Sequence, residues 1–295
     1  MRTMYAAYSH LLASSSAAIS SSDSFTPDAE NRSWMGLTPR GFRFLTVKVT
    51  GSGHCQFRLQ AQAVEYPYFK ENQFQCDDAF LQAVWDTSLA TLRAATTDVI
   101  GEPARENVLW TFDACVGGKA AYYSFGDTAM WRHCLELVAQ GIDADGIPNA
   151  VVPAGYSFMV LIDQALYWVQ SCKEYFWATG DRAFLAQQAP AIQRLLHFCQ
   201  QHMTDDNLFI PPSFAWHWVD WAPLNKEPYS MPINGMLLLA AQAANAVARG
   251  AGHPFGGERQ PGPRSNRPQA PEEEQPRGVG SVSYTHLTLP TSDLV

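Results

Sequence analysis

The sequence predicts a mainly α-helical protein built of stacked helical hairpins, an α/α barrel or half of one. Three observations lead there. From Asp77 to Arg249 apolar residues recur at helical spacing in about six segments. Short turns inside pairs of these segments alternate with longer loops rich in Trp and Pro. No repeat of fixed period runs through them, which disfavours an open solenoid. With 295 residues, 46% of them apolar, the chain has enough material for a substantial core.

Residues 1–40 are Ser-rich and weakly patterned. From Gly41 to Glu65 the pattern is strand-like: Phe42, Phe44, Thr46, Lys48 and Val49 lead to a Gly51-Ser52-Gly53 turn, and Phe57, Leu59, Ala61 and Ala63 then alternate with polar partners. That reads as a β-hairpin. The first helix starts at an Asp77 or Asp78 cap and aligns Leu81, Val84, Trp85, Ser88 and Leu92 on one face. A second follows Asp113. A third begins near Asp127 and carries Met130, Trp131, Cys134, Leu135 and Val138. Ser157 to Thr179 is apolar nearly all round, as in a helix with neighbours on every side. Gly180-Asp181 stops that helix and caps the next. Pro190 suits a first-turn position ahead of Ile192, Leu195, Leu196, Cys199 and Met203. Ser230 and Pro232 open a last helix, Met231 to Arg249, uncharged until its end.

Beyond Gly250 the chain turns to Gly, Pro, Arg, Glu and Gln, a composition that cannot bury a core. Ser281 to Thr291 reads like a translated adapter sequence, in which case the natural protein continues past Arg249. The alternative is a genuine disordered tail.

The net charge of −8 argues against a nucleic-acid partner, which needs a basic face. No run approaches the roughly 20 apolar residues of a membrane span, so no membrane partner is expected. Cys55, Cys76, Cys115, Cys134, Cys172 and Cys199 lack CxxC or metal-type spacing and read as free thiols, which leans toward a reducing, cytoplasmic compartment. His197, His202 and His217 form no metal set, and Gly117-Gly118-Lys119 lacks the phosphate-loop spacing. No metal or cofactor is called for. Nine Trp and eleven Tyr fit either a ring-lined sugar cleft or simply a bulky helical core.

The densest chemistry lies between Gly101 and Asp113: Glu102, Arg105, Glu106, Trp110 and Asp113 fall within thirteen residues. Glycoside hydrolysis needs one carboxylic acid to protonate the leaving oxygen and a second carboxylate to activate water or attack. Arg105 could orient a carboxylate or a sugar hydroxyl, and Trp110 could stack on a pyranose ring. The alternative is a polar loop in which Asp113 caps a helix and Glu106 is solvated.

The pattern Pro103-x-Arg105-Glu106-x-x-x-Trp110-Thr111-x-Asp113-Ala114 is similar to the active-site motif of α-L-rhamnosidases (glycoside hydrolase family 78). Gly41-Phe42-Arg43-Phe44 resembles the strand ending the β-sandwich ahead of that family's barrel. Tyr175 to Leu185 resembles one of its helix–turn–helix boundaries, and Trp216-His217-Trp218-Val219-Asp220-Trp221 its loop beside the sugar. The likeness covers roughly residues 40–249. It implies a partial (α/α)6 six-hairpin barrel at 76–249, preceded at 1–75 by the end of a β-sandwich domain; the composition of 250–295 adds a disordered, artefactual tail.

By the same resemblance Glu106 corresponds to the general acid, and Glu102, Arg105, Trp110, Asp113, Trp218, Asp220 and Trp221 to the substrate pocket. The partner is then a carbohydrate, a rhamnosyl or similar deoxy-sugar glycoside, cleaved with inversion. The chain departs from the family in three places. Gly101-Glu102 stands where the motif opens with Asp-Cys, Asn107 stands at a common Arg, and Leu161-Ile162-Asp163 stands at a Trp-x-Asp. The family's general base has no counterpart before the chain ends, so the chain alone is expected to be inactive. Asp163, Asp220 and Glu227 are the fallback bases. Competing readings are an inactive carbohydrate-binding or scaffold protein on the same barrel, and a plain helical-repeat interaction module.

Overall fold

A computed structural model describes residues 3–9, 21–27, 33–36, 41–42, 44–52, 54, 56–101, 108–153, 159–219 and 229–251. Among them six helices dominate: α1 (Ala79–Ala94), α2 (Thr111–Phe125), α3 (Ala129–Gln140), α4 (Ile162–Thr179), α5 (Arg182–Gln201) and α6 (Met231–Ala251). Three strands precede them, β1 (Thr3–Ser9), β2 (Ser21–Phe25) and β3 (Phe44–Thr50). Four two-residue strands lie between helices: β4 (Leu109–Trp110), β5 (Val151–Val152), β6 (Val160–Leu161) and β7 (Ala215–Trp216).

The strands correct the expected hairpin. β3 pairs antiparallel with β1, placing Thr3 opposite Thr50 and Ala6 opposite Val47, and β2 pairs with the other edge of β1. Residues 57–63 form no strand, and Phe57 and Leu59 are exposed. Alternation alone does not name a partner; the weakly patterned Ser-rich segment supplies it, because small and hydroxyl side chains tolerate a pleated surface without a strong apolar signal.

The helices stack as three hairpins. α2 packs on α4 and α4 on α6, while α3 and α5 pack together behind them. Asp78 caps α1 by accepting from the Phe80 amide at 2.8 Å. The buried face of α1 centres on Leu89, with Trp85 and Leu92; Leu81, Val84 and Ser88, expected on that face, are exposed because no second element among the described residues covers that side. On α3 the expected face of Met130, Trp131, Cys134, Leu135 and Val138 is buried. Asp127 Oδ1 accepts from the Met130 amide at 2.9 Å.

Gly118 fits between α2 and α3 where nothing larger would: a Cβ there would meet Trp131 Cδ1 at 2.0 Å. Trp131 Nε1 in turn donates to Ser171 Oγ at 3.1 Å, joining α3 to α4. The Gly-Gly pair in α2 is therefore a close-packing device. α4 is buried on most of its circumference, starting with Ile162, Asp163 and Gln164. It ends at Gly180, whose φ of 70° is the left-handed conformation that glycine adopts at no steric cost. Asp181 then caps α5 by accepting from the Phe184 amide, and also pairs with Arg132 of α3 at 2.6 Å.

Two further expectations are corrected. Pro190 lies inside α5, not in a first turn; Phe184 and Leu185 before it and Ile192 and Leu195 after it are all buried, and that packing carries the helix past the lost amide. Leu196 and Met203 are only partly covered. α6 is long and apolar enough, by length and composition, to cross a membrane. Its Ile233, Ala240, Ala243, Ala244 and Val247 are instead buried in the core shared with α4 and α5. Asn234 ties α6 to the preceding loop, accepting from the Phe209 amide at 2.8 Å and donating to its carbonyl at 3.1 Å.

Candidate active site

The starts of α2 and α4 lie side by side. β4 runs into α2 without a break and pairs antiparallel with β5, matching Leu109 with Val152 and Trp110 with Val151. β6 runs into α4 and pairs parallel with β7, matching Leu161 with Trp216. Links between the two helix starts run through Gln164 Oε1, which accepts from the Phe112 amide at 3.4 Å, and through Ala150. The Ala150 carbonyl receives the Thr111 amide, and its own amide donates to Met159. At α2 this lets the Thr111 amide meet a backbone carbonyl rather than water, and at α4 the Asp163 carboxyl takes up first-turn amides.

An apolar cluster sits on this frame. Ala150, Val151 and Leu161 are buried, with Val108, Trp110, Met159 and Trp218 packed on them. The Phe112 ring lies 5.0 Å from Tyr167 and 6.2 Å from Trp218. Trp110 and Trp218, 108 positions apart in sequence terms, thus stand on one cluster. Asp113 is exposed in the first turn of α2, two residues inside the helix rather than capping it, because the helix starts at Thr111 directly from β4. A carboxylate there is favoured by the positive end of the helix dipole.

Glu102, Arg105, Glu106, Asp220, Trp221 and Glu227 lie outside the described residues. The chain positions bordering them are described: Val108 and Val219 both belong to this end of the helix pairs. Among the described residues no group of three His, Cys, Asp or Glu is arranged to hold a metal ion. His197 instead pairs with Gln201 of its own helix, and His202 contacts the Phe198 carbonyl.

Two features escaped the reading of the sequence. Phe112 and Tyr167 join Trp218 in an aromatic group; Phe112 lies inside the motif, and Tyr167 is one turn past Asp163, so helical spacing could have flagged both. Asp163 is 2% exposed in the first turn of α4, and its Oδ2 accepts from the Val219 amide at 2.6 Å. Burial raises its pKa above the ordinary carboxylate value, only partly offset by backbone amides pointing at it.

Residues 70–249, more than half the chain, match the family described as bacterial α-L-rhamnosidase six-hairpin glycosidase domain. The chain belongs to that family. A family 78 rhamnosidase of Bacillus sp. GL1 is similar at 26% identity with a TM-score of 0.68, over 85% of this chain and 27% of that one. A rhamnosidase from Klebsiella oxytoca, solved with rhamnose bound, is similar at 19% identity and a TM-score of 0.64, over 84% of this chain and 52% of that one. An α-L-rhamnosidase of Streptomyces avermitilis, complexed with L-rhamnose, gives 20% identity and a TM-score of 0.58, over 85% and 25%. The last two likenesses are of fold. The chain thus spans between a quarter and about half of these relatives. No curated relative matches it. Its three hairpins are members of a six-hairpin glycosidase barrel.

Proposed function

We propose that this chain forms one side of the active site of an inverting α-L-rhamnosidase acting on terminal α-linked L-rhamnose or a similar deoxy sugar. One observation supports this above the rest: Trp110, four residues after Glu106 in sequence, shares a cluster with Trp218 at the starts of α2 and α4. Glu106 is the general acid. Trp110, Trp218 and Trp221 offer ring faces to the apolar side of the sugar, and Glu102, Arg105, Asp113 and Asp220 meet its hydroxyls. Residues 1–75 belong to a β-sandwich ahead of the barrel. An inverting site keeps its acid and base about 6.5–9.5 Å apart across the sugar. Three hairpins line only the acid's side of it.

The test is Glu106→Gln in a complete six-hairpin barrel. General-acid catalysis supplies about 10²–10⁴-fold, so kcat should fall by that range on glycosides with poor leaving groups. Activated aryl rhamnosides need less protonation and should lose less. An equal loss on both substrate types assigns Glu106 another role.

A further inference from the structure

The loop that carries Trp218 turns at Val219, and that turn is strained. Val219 has a φ of 54°, in the left-handed region. A β-branched side chain there crowds its own carbonyl, so such a residue persists only when its surroundings hold it. Asp163 reaches from the first turn of α4 to the Val219 amide at 2.6 Å, a short charge-assisted contact, across 56 positions of sequence. Its carboxyl is buried, and the second oxygen, Oδ1, has no hydrogen-bond partner among the described residues. A structure that needed only a cap for α4 would leave a short acid facing solvent, as Asp78 does on α1. Burying a carboxylate with half its acceptors unfilled is costly. The contacts it gains outside its own helix are to the backbone of Trp218 and Val219, and they fix the chain at and just after that ring.

We propose that Asp163 is a positioning residue, locking the backbone of Val219 so that Trp218 stands against Phe112 at the sugar-facing start of α4. This rests on the reading of that end as the sugar site. Asp163 does not touch the reacting atoms. It sets where the Trp218 ring stands.

Amide exchange on the intact 295-residue chain tests it, with L-rhamnose titration as a second readout. Asp163→Leu should raise exchange in the peptide containing Val219 by roughly tenfold or more, with the α2 and α4 interiors still protected, and should weaken L-rhamnose binding. Asp163→Asn keeps an acceptor oxygen and should restore both. If exchange at Val219 is unchanged in a folded Asp163→Leu protein, the proposal fails. It fails equally if Asp163→Asn leaves Val219 protected yet loses L-rhamnose as Asp163→Leu does, because Asp163 would then act on the sugar itself. Should Asp163→Leu not fold, Asp163→Ala, which also removes the acceptor and adds no bulk, must reproduce the loosened peptide in a folded protein. If it does not, the proposal is overturned. If the unmodified chain shows no L-rhamnose binding, the functional reading falls, and the exchange result still decides whether Asp163 holds the loop.

Discussion

Val219 and Asp163 are the residues where local strain and burial are concentrated. Relieving the first should stabilise the protein. A left-handed conformation costs a non-glycine residue about 1–2 kcal/mol, and glycine gives back roughly 0.5–1 kcal/mol in chain entropy. Val219→Gly should therefore raise stability by up to about 1 kcal/mol, read from urea unfolding, whereas most substitutions lower it. Asp163 carries a pH signature. Its folded pKa is raised by burial, so the folded state holds the proton to higher pH than the unfolded state. The stability this adds is complete below the unfolded pKa and is lost as pH rises through the folded one. Unfolding measured across that window should show wild type losing stability relative to Asp163→Asn as pH increases. A gap independent of pH would deny the shift. None of this was legible in the sequence, where Asp163 stood as part of a degenerate Trp-x-Asp, because a contact across 56 positions leaves no local periodicity. Trp110 and Trp218 were legible as ring-bearing loop residues, since their motif and Trp-rich context lie in short segments.

Helices were legible wherever caps and periodicity agreed. Gly180-Asp181 marked the α4–α5 boundary because the left-handed stop and the side-chain cap are both local chemistry. The start of α2 was misjudged by three residues, since β4 enters the helix with no capping side chain. The exposed side of α1 and the partner of β3 were misread for one reason: periodicity shows that a face is apolar and says nothing of what covers it. Close packing between elements makes two predictions. Gly118→Ala would drive a methyl group into Trp131 and should cost about 1–3 kcal/mol, seen as a lower Tm; an unchanged Tm would mean α2 and α3 are not in such close contact. The thiols of Cys115, Cys134, Cys172 and Cys199 are free and buried inside helices. Burial pushes Cys134 and Cys199 up to about 12 and raises Cys115 and Cys172 well above the ordinary thiol value. Only the thiolate alkylates. In the folded protein these four should resist iodoacetamide that modifies Cys76, and all should react after unfolding.

At the scale of the molecule, α1 and α6 each expose an apolar face among the described residues. On α6 Leu238 is 60% and Leu239 49% exposed, and on α1 Phe80 is 74% exposed beside Leu81 and Val84. Contiguous apolar surface of this kind drives association. Sedimentation should find oligomers that grow with concentration, and Leu238→Lys with Leu239→Lys should shift them toward monomer. A monodisperse monomer at high concentration would mean those faces are covered. The family fold was legible as paired helices without a repeat; its closure was not, because a barrel closes through contacts between its first and last hairpins.

The central claim is that the starts of α2 and α4 form a sugar-binding surface walled by Trp110 and Trp218. Tryptophan fluorescence during titration with L-rhamnose, and with D-glucose as control, tests it most directly. A saturable change with L-rhamnose alone is predicted, weakened by up to roughly tenfold in Trp110→Leu and again in Trp218→Leu, the scale of one aromatic face contact. Saturable binding untouched by either substitution, or none at all in the folded chain, would contradict it.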